Sequence, residues 1–420
     1  MEFIESIKEE DYENFVVNHP KSHFMQSYYW GEVMKLKHFT PYYVGMKENG
    51  ELLATALVLK KHLVGKYSYF YIPRGFVTDY HNSSYIKIFT TYLKNFAKKH
   101  HVIFIKIDPD IKLHDLDIEG NILGDETDGG KVFNLLIDNG YRHLGFNKAF
   151  TNEQPRFTFR LDLNRPWEDI YSGMHPTTRK ILNKGNLYEL NLYKGDVTDI
   201  PLFYETMLET AKREGLHATS IEYYKHFYEV LHKNNMSDVY VVKTTKDHLI
   251  EFLQKRILDI ENEVIHLEDR LKSVEKIKVR KKELEAQLVK QQQLYQEILN
   301  ITDGEIILSS IMTVKYGNKV WTIHGGNSTV LRELNSNYLL YYQIIKDAYQ
   351  DHYQIIDFFG CSGEANPDSK DPIFGLHSFK KRLGGEYTEF LGEFDLILNS
   401  LLYTLYKKGI PLYRKIKKRG

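Results

Sequence analysis

A carboxylate at the end of a predicted buried strand is the first feature of the chain that could do chemistry. The run VIFIKIDPD, residues 102–110, is short, apolar and β-branched except at Lys106, which predicts a central strand buried on both faces. Pro109 cannot donate to a strand ladder, so the strand is expected to end at Asp108. Because ligands of open α/β sheets bind beyond the carboxyl ends of the strands, Asp108 is a candidate site residue.

The chain lacks the sequence motifs of several common enzyme classes. It has no P-loop, no GxSxG elbow, no HExxH motif and no Cys/His spacing typical of zinc sites, so no metal or cofactor is expected. The single cysteine, Cys361, follows a predicted core strand without an obvious activating base and is interpreted as inert. A single cysteine also excludes an internal disulfide and favours a reducing compartment.

Composition favours a cytoplasmic protein with two cores. The chain has 420 residues, 42% of them hydrophobic, and a net charge of zero that gives no global argument for nucleic acid. The acidic N-terminal stretch MEFIESIKEEDYENF has no apolar core typical of a signal peptide. No run of 18 apolar residues predicts a membrane-spanning segment.

The predicted elements occur in the same order twice. The first copy has strands near 42–47, 52–60 and 67–72, a helix near 85–99 and the strand that ends at Asp108. The second copy has strands near 239–243, 306–314 and 319–323, a helix near 338–349 and the strand 354–359. In that last strand Asp357 corresponds to Asp108. The repetition predicts a duplicated α/β unit, whereas the polar residues 112–131 predict a surface loop.

An insertion distinguishes the second copy from the first. Where the first copy has a tight turn at 48–50, the second carries residues 245–304. Apolar residues from Leu249 to Val274 are spaced 4-4-3-4-3-4-3, and a second stripe runs from Leu284 to Ile298. Two such stripes separated by a charged break predict an antiparallel helical hairpin, a short coiled-coil arm.

Three basic clusters are candidates for contact with anions. The tip of the arm carries Arg270, Lys272, Lys276, Lys278, Arg280, Lys281 and Lys282, and a predicted helix over 177–184 carries Arg179, Lys180 and Lys184. The tip is equally consistent with a solvated loop or with a polyanion contact. The third cluster, residues 413–420, either frays in solvent or lies against an anionic lipid surface.

The duplicated layout resembles two acyltransferase folds of the GNAT type. The chain lacks the glycine-rich pyrophosphate loop of those that use acyl-CoA, which suggests acyl transfer without coenzyme A. Five segments in register with the helical hairpin resemble the FemABX family of Gram-positive cell-wall peptidyltransferases. They are FYIPRGFVTDY (70–80), IKIDPD (105–110), QPRFTF (154–159), TTRKILNKG (177–185) and FGLHSFKKRLGGEYTEFLGEFD (374–395).

The resemblance implies a reaction and its partners. It implies two GNAT-like subdomains with a groove between them, an aminoacyl-tRNA donor, and an acceptor that is the stem peptide of a peptidoglycan precursor, usually lipid II. No cofactor is implied. Homologous Fem-type enzymes are possible partners, and peripheral contact with the inner face of the membrane is compatible with a lipid-linked acceptor.

The resemblance also assigns roles to residues of this chain. Lys380, after Phe379, corresponds to the lysine of the family that stabilises the developing oxyanion. Asp108 either orients the acceptor or takes a proton. Arg213, in the helix end 211–215, corresponds to the arginine that contacts acceptor phosphate. The remaining substrate-binding candidates are Lys35, Lys37, Arg74, Gln154, Arg156 and Phe379. The tRNA-binding candidates are Arg179, Lys180, Lys184, Lys278, Arg280, Lys281 and Lys282.

The chain departs from the family pattern at two places, and both weaken the assignment of acceptor contacts. Met34 stands where the family often has a lysine on the early helix, with Lys35 next. Thr322 and His324 stand where some members have tyrosines.

The expected architecture is an α/β (α+β) chain with an inserted arm. The first GNAT-like subdomain is expected at 1–147, with 392–420 packing back on it, the second at 148–245 and 305–391, and the arm at 246–304. Two other functions remain open: a GNAT-type N-acyltransferase that acts on another amine without coenzyme A, and a non-catalytic paralogue that acts as a binding protein. Retention of Lys380, Asp108 and Arg213 together disfavours the non-catalytic paralogue.

Overall fold

The structure, a computed structural model, describes residues 1–124, 128–148, 153–215, 218–270, 275–364, 371 and 373–417. The strands are β1 (Glu2–Ile4), β2 (Phe39–Glu48), β3 (Glu51–Val64), β4 (Tyr67–Ile72), β5 (Val77–Thr78), β6 (Val102–Ile107), β7 (Lys112–Asp115), β8 (Tyr141–His143), β9 (Phe157–Asp162), β10 (Asn191–Gly195), β11 (Ser237–Thr245), β12 (Glu305–Tyr316), β13 (Lys319–Asn327), β14 (Ile355–Gly360), β15 (Glu386–Phe390) and β16 (Phe394–Ile397). The α-helices are α1 (Glu9–Asn18), α2 (Tyr28–Lys35), α3 (Ser83–Lys99), α4 (Asp128–Asp138), α5 (Trp167–Gly173), α6 (Pro176–Asn183), α7 (Ile200–Arg213), α8 (Ile221–His232), α9 (Lys246–Arg270), α10 (Glu275–Leu299), α11 (Ser336–Gln350), α12 (Phe374–Arg382) and α13 (Ser400–Lys417). Short 3₁₀ helices cover Phe24–Gln26, Val197–Asp199 and Arg332–Leu334.

The strands form two mixed sheets with equivalent central topology. The first sheet has the order β1-β2-β3-β4-β6-β16-β8, and the second has the order β10-β11-β12-β13-β14-β9-β15-β7. In each, two antiparallel pairings are followed by one parallel pairing, β4 with β6 and β13 with β14. The connecting helices α3 and α11 occupy the same place in the two units. The predicted duplication and the α/β fold class are confirmed.

Helix α3 shows how the sequence builds one of these units. Asn82 caps its N-terminus by accepting hydrogen bonds from two backbone N–H groups. Lys98 and Lys99 lie in its last turn, where cations complement the helix dipole. Ile86, Phe89, Leu93 and Phe96 recur at helical spacing and are buried against the first sheet.

Each sheet receives a strand from the part of the chain that otherwise builds the other unit. Strand β16 returns from the C-terminal part to pair with β6, and Glu393 and Asp395 neutralise the buried Lys106 at 3.1 and 3.4 Å. Strand β7 pairs with β15 at the edge of the second sheet. The prediction of a loop at 112–131 is therefore wrong for β7, because pairing with β15 satisfies the backbone of a polar strand. It is also wrong at its end, where α4 begins at Asp128. The predicted subdomain boundaries stay a prediction.

The inserted arm replaces the turn between β11 and β12. Helices α9 and α10 run antiparallel: at the base the Lys246 ammonium donates to the carbonyl of Leu299, and farther out Gln254 donates to Tyr295. Leu253 and Leu294 are buried with the core of the second sheet, so the base of the arm is fixed to the fold. Within the described residues, no helix combines the length and apolar character needed to cross a membrane.

A half-buried arginine joins the end of a central strand of one sheet to the centre of the other. Arg160, on β9, donates from Nε to Asp357 on β14 at 2.8 Å. Its Nη2 donates at 2.6 Å to Asp110, which follows the end of β6. Burial alone would raise the pKa of Asp110, but the guanidinium of Arg160 and the ammonium of Lys21 hold it well below its usual range. Arg160 is therefore the shared cationic partner of the two carboxylates.

We expect Arg160→Met to destabilise the fold by about 3–5 kcal/mol at pH 7, because two buried carboxylates lose their shared cation. Since the pKa of Asp110 is depressed in the folded protein, its stabilising contribution is present above the unfolded value and is lost as the pH falls. The loss caused by Arg160→Met should therefore shrink on acidification. Urea unfolding at pH 7 and near pH 3, below the unfolded pKa of 3.8, measures this difference in the free energy of unfolding.

Arg165→Met is the matched control, since Arg165 contacts the backbone carbonyl of Asp162 and lies outside this cluster. Equal stabilities of the two variants at pH 7 would show that the bridge contributes nothing.

Candidate active site

Asp108 lies buried at the end of β6, as the sequence predicts. Its Oδ2 accepts a hydrogen bond from the Tyr71 hydroxyl at 2.8 Å, and its Oδ1 accepts one from the Arg74 backbone N–H at 2.5 Å. Burial raises the pKa of Asp108 to about 7, against the guanidinium of Arg74 and the Tyr71 hydrogen bond, which both lower it. A carboxyl with this pKa can exchange a proton at neutral pH.

Arg74 and Gln154 complete the surroundings of Asp108. Arg74 has a φ of +57°, a left-handed conformation that is uncommon for a residue with a side chain. Its Nη1 donates to the carbonyl of Pro155 at 3.2 Å, and its guanidinium lies 4.9 Å from the centre of the Phe390 ring. The side chain of Gln154 hydrogen-bonds the Tyr71 hydroxyl. The structure thus places both candidates beside Asp108.

Lys380 lies buried on α12 and contacts the end of β14. Its ammonium donates to the carbonyls of Phe359 at 3.1 Å and Gly360 at 2.7 Å. Burial lowers the pKa of Lys380 to about 8, while the neighbouring Cys361 and Asp357 act in the opposite direction. An ammonium has three N–H donors, so two carbonyls leave one donor for another acceptor.

A chain of hydrogen bonds and ion pairs connects the surroundings of Asp108 with those of Lys380. From Asp108 it passes through the Arg74 backbone to Asp110, whose N–H donates to the Arg74 carbonyl at 3.1 Å. Arg160 then joins Asp110 to Asp357, and Asp357 accepts from the Phe359 N–H at 2.7 Å. The carbonyl of the same Phe359 accepts from Lys380. One rigid polar network therefore holds both candidate catalytic groups.

Arg213 and Phe379 line one cleft of about 500 Å³. Arg213 ends α7, and its Nη1 donates to the carbonyl of Asn327 at 3.2 Å. Gly326 permits the close packing of α7 on β13, since a Cβ there would lie 2.6 Å from the backbone carbon of Thr206. The cleft is lined by Arg213, Leu308, Asn327, Ser328, Arg332, Glu333, Asn335, Ser336, Asn337, Tyr338, Gly375, Ser378, Phe379 and Arg382. We call it the arginine cleft.

Sequence reasoning missed two arginines of this cleft. Arg332 and Arg382 join Arg213 there, opposed by Glu333 and by Glu214, which pairs with Arg213 at 2.9 Å, so the three guanidinium groups still exceed the acids and suit an anionic group. Arg382 lies two residues after the F-K motif, and this proximity to the motif could have identified it from the sequence. No sequence signal marks Arg332, because only the fold brings the 3₁₀ helix after β13 to this position.

The other substrate-binding candidates lie elsewhere. Arg156 is buried and paired with Glu389, with its guanidinium 4.8 Å from the ring of Phe157. Lys35 is exposed and paired with Glu32 at 2.7 Å. Lys37 lies over the ring of Tyr223 at 4.2 Å. None of the three lines the arginine cleft.

The tRNA-binding candidates divide between two places. Arg179, Lys180 and Lys184 belong to α6 and its C-terminal end, where both lysines are exposed. Lys278, Arg280, Lys281 and Lys282 lie on α10 toward the tip of the arm. The other predicted tip cations, Arg270, Lys272 and Lys276, have side chains outside the described part of the structure. Among the described residues no cluster of His, Cys, Asp and Glu is arranged to hold a metal ion.

Comparison with known proteins identifies the family. A model of the FemAB family matches residues 7–408. The chain belongs to the FemAB family. It is 26% identical over 424 residues to the lipid II:glycine glycyltransferase of Staphylococcus haemolyticus strain JCSC1435, covering 98% of this chain and 97% of the relative.

Two further comparisons agree with this assignment. The lipid II:glycine glycyltransferase of Staphylococcus aureus strain USA300 is 24% identical over 421 residues, covering 98% of this chain and 96% of that protein. The crystal structure of FemX superposes with a TM-score of 0.74 at 24% identity, covering 96% of this chain and 99% of that one. The predicted resemblance is confirmed, and the fold is shared with FemX.

The two shifted pKa values predict a bell-shaped pH dependence of kcat/KM for acyl transfer by this FemAB protein. If Asp108 acts ionised, the rate rises through about pH 7, and if Lys380 acts protonated, it falls through about pH 8. Asp108→Asn should remove the ascending limb and lower the rate by about 10²–10⁴. An ascending limb that persists in Asp108→Asn would belong to the acceptor amine instead.

Lys380→Met should lower the rate of transfer by about 10²–10³, the usual effect of removing one oxyanion stabiliser. It also leaves the carbonyls of Phe359 and Gly360 without their donor, so a stability loss of about 1–3 kcal/mol is expected. Rates are therefore compared well below the melting temperature of the variant. Near-normal turnover of the folded variant would remove Lys380 from the mechanism.

Proposed function

We propose that this FemAB protein transfers an amino acid from an aminoacyl-tRNA to the stem peptide of a peptidoglycan precursor, lipid II, to build the interpeptide bridge. The observation that carries the proposal is the match over 98% of the chain to relatives named lipid II:glycine glycyltransferase. These relatives make glycine the first donor amino acid to test.

The proposed reaction requires a proton acceptor and a hydrogen-bond donor to an oxyanion, and Asp108 and Lys380 are the candidates for these two roles. The stem-peptide amine attacks the ester carbon of the aminoacyl-tRNA, a C–N bond forms, and the bond between that carbon and the ribose oxygen breaks. The amine loses a proton, for which ionised Asp108 is the acceptor, and the ribose oxygen gains one. Negative charge develops on the carbonyl oxygen, and the third N–H of Lys380 is the donor that would stabilise it.

The arginine cleft is the proposed place for the acceptor phosphates. Arg213, Arg332 and Arg382 offer planar guanidinium groups, which pair with phosphate oxygens through two parallel hydrogen bonds. Phe379, which immediately precedes Lys380 in the sequence, lines the same cleft. An acceptor bound here would therefore lie along the helix that carries the proposed oxyanion stabiliser.

Contact with the membrane surface is part of the proposal, because the acceptor is lipid-linked. Helix α13 packs Tyr403 on Phe104, while Leu401 and Leu405 on the same helix are 72% and 58% exposed. Exposed leucines one helical turn apart can enter the interfacial region of a bilayer. The side chains of the basic cluster at 413–420 lie outside the described part of the structure. Homologous Fem-type enzymes remain proposed partners.

The proposed function is tested by mass analysis of lipid II after incubation with the protein and separately charged glycyl-, alanyl- and seryl-tRNA. A mass increase of one amino-acid residue is expected, with glycine as the leading case, and it should disappear when the tRNA is digested before addition. Transfer that persists with acetyl-CoA and without tRNA would favour a different N-acyltransferase. Absence of transfer with every charged tRNA would contradict the proposed activity.

Arg213→Ala should raise KM for lipid II more than it lowers kcat, because a phosphate contact made equally in ground and transition states contributes uniform binding. Lys212→Ala is the matched control: Lys212 lies in the same last turn of α7 and is not among the residues lining the arginine cleft. If Arg213 only complements the helix dipole, both variants will show a similar small stability loss and an unchanged KM.

A further inference from the structure

A basic groove lies where the base of the arm meets the residues around α6. Its volume is about 670 Å³. Lys180 and Lys184 come from α6 and its C-terminal end, Arg256 from α9 and Lys290 from α10. The other lining residues are Leu187, Tyr188, Ile260, Gln287, Gln291, Gln293, Leu294, Glu297 and Glu333. The four cations are far apart in sequence, and only the fold brings them to one groove.

The charges of this groove are largely uncompensated. Within the described residues, none of its four cations has an ion-pair partner within 4.0 Å. Its two acids, Glu297 and Glu333, hydrogen-bond each other, and burial and the neighbouring carboxylate raise the pKa of Glu333. The four cations thus outnumber the two acids of the groove.

Cations toward the tip of the arm are in a different situation. Arg280 pairs with Glu263 at 2.9 Å across the two helices, and Lys281 lies 3.6 Å from Glu285. These acids belong to the arm itself, so part of the positive charge predicted at the tip serves to hold its helices together. Among the described side chains, Arg280 and Lys281 near the tip are thus paired within the arm, whereas the four cations of the base groove have no such partners.

The base groove adjoins the arginine cleft. Glu333 lines both, and the loop before it is held against the arm because Glu297 accepts a hydrogen bond from the Leu331 N–H at 3.4 Å. A linear anion in the base groove would thus end at the border of the arginine cleft, which the proposed function assigns to the acceptor phosphates. Tyr188 adds an aromatic wall on which a base could stack.

We propose that this base groove, rather than the tip of the arm, binds the phosphodiester backbone of the donor RNA near its acceptor end. The inference rests on the proposed function. The match is one of chemistry: spaced cations, side-chain amides and an aromatic ring along a groove suit a sugar–phosphate strand. The position of the groove supplies the direction, since it adjoins the cleft that is lined by Phe379, the residue before Lys380.

The test compares two quadruple variants that each remove four positive charges. The base variant carries Lys180→Gln, Lys184→Gln, Arg256→Gln and Lys290→Gln, and the tip variant carries Lys278→Gln, Arg280→Gln, Lys281→Gln and Lys282→Gln. The probe is deacylated tRNA, titrated between 50 and 300 mM KCl. We expect the base variant to bind about 10-fold or more weakly near 150 mM salt, with a salt slope smaller by about 0.7–0.9 per lost contact. The tip variant should bind with nearly the original slope.

Circular dichroism and melting temperature verify that both variants fold. Should the base variant fail to fold, the pair Lys184→Gln and Lys290→Gln replaces it, since both side chains are exposed. Unchanged tRNA binding by the folded base variant, or equal weakening of both variants, would overturn the inference.

A parallel transfer assay separates this inference from the proposed function. If the original protein transfers from charged tRNA to lipid II, the base variant should raise KM for the tRNA and leave KM for lipid II unchanged. A raised KM for lipid II alone would overturn the inference and assign the groove to the acceptor diphosphate. Transfer by the original protein that needs no tRNA would overturn the proposed function, whatever the base variant does.

Discussion

The ion triad of Asp110, Arg160 and Asp357 is the constraint on which the rest of the site depends. Arg160 hydrogen-bonds both Asp357 on β14 and Asp110, which follows β6, so this guanidinium ties the second sheet to the end of a central strand of the first. Asp108 and Lys380 are both attached to this triad through backbone groups, Arg74 on one side and Phe359 on the other. A displacement of either sheet would therefore move the two candidate catalytic groups relative to each other.

Burial gives these two groups properties that their residue types do not have in water. Burial raises the pKa of Asp108 to about 7 and lowers that of Lys380 to about 8, so an ionised Asp108 and a protonated Lys380 can coexist near neutral pH. Arg156 shows the contrast. It is as deeply buried as Asp108, but its pairing with Glu389 and its packing on Phe157 assign it to holding β15 against β9.

The arm has two parts with different electrostatic roles. At its base, Leu253 and Leu294 join the core of the second sheet, and Arg256 and Lys290 face the lysines of α6. Farther out, Arg280 and Glu263 pair across the two helices, as in other coiled coils. A rigid arm anchored by apolar side chains can hold unpaired cations in a fixed groove, which a flexible loop could not.

The sequence by itself determined the α/β class, the duplicated order of elements, the helical hairpin and the position of Asp108. Local periodicity and residues that end a strand, such as Pro109, specify these features. It failed at β7, whose polar residues gain a partner strand only from the distant β15. Tertiary structure alone decided that Arg160 lies between two carboxylates, that Arg332 and Arg382 join Arg213, and that Arg256 and Lys290 meet α6. The physical reason is common to these cases: sequence patterns report burial and local geometry, whereas the partner of a charged side chain depends on packing between segments that are distant in sequence.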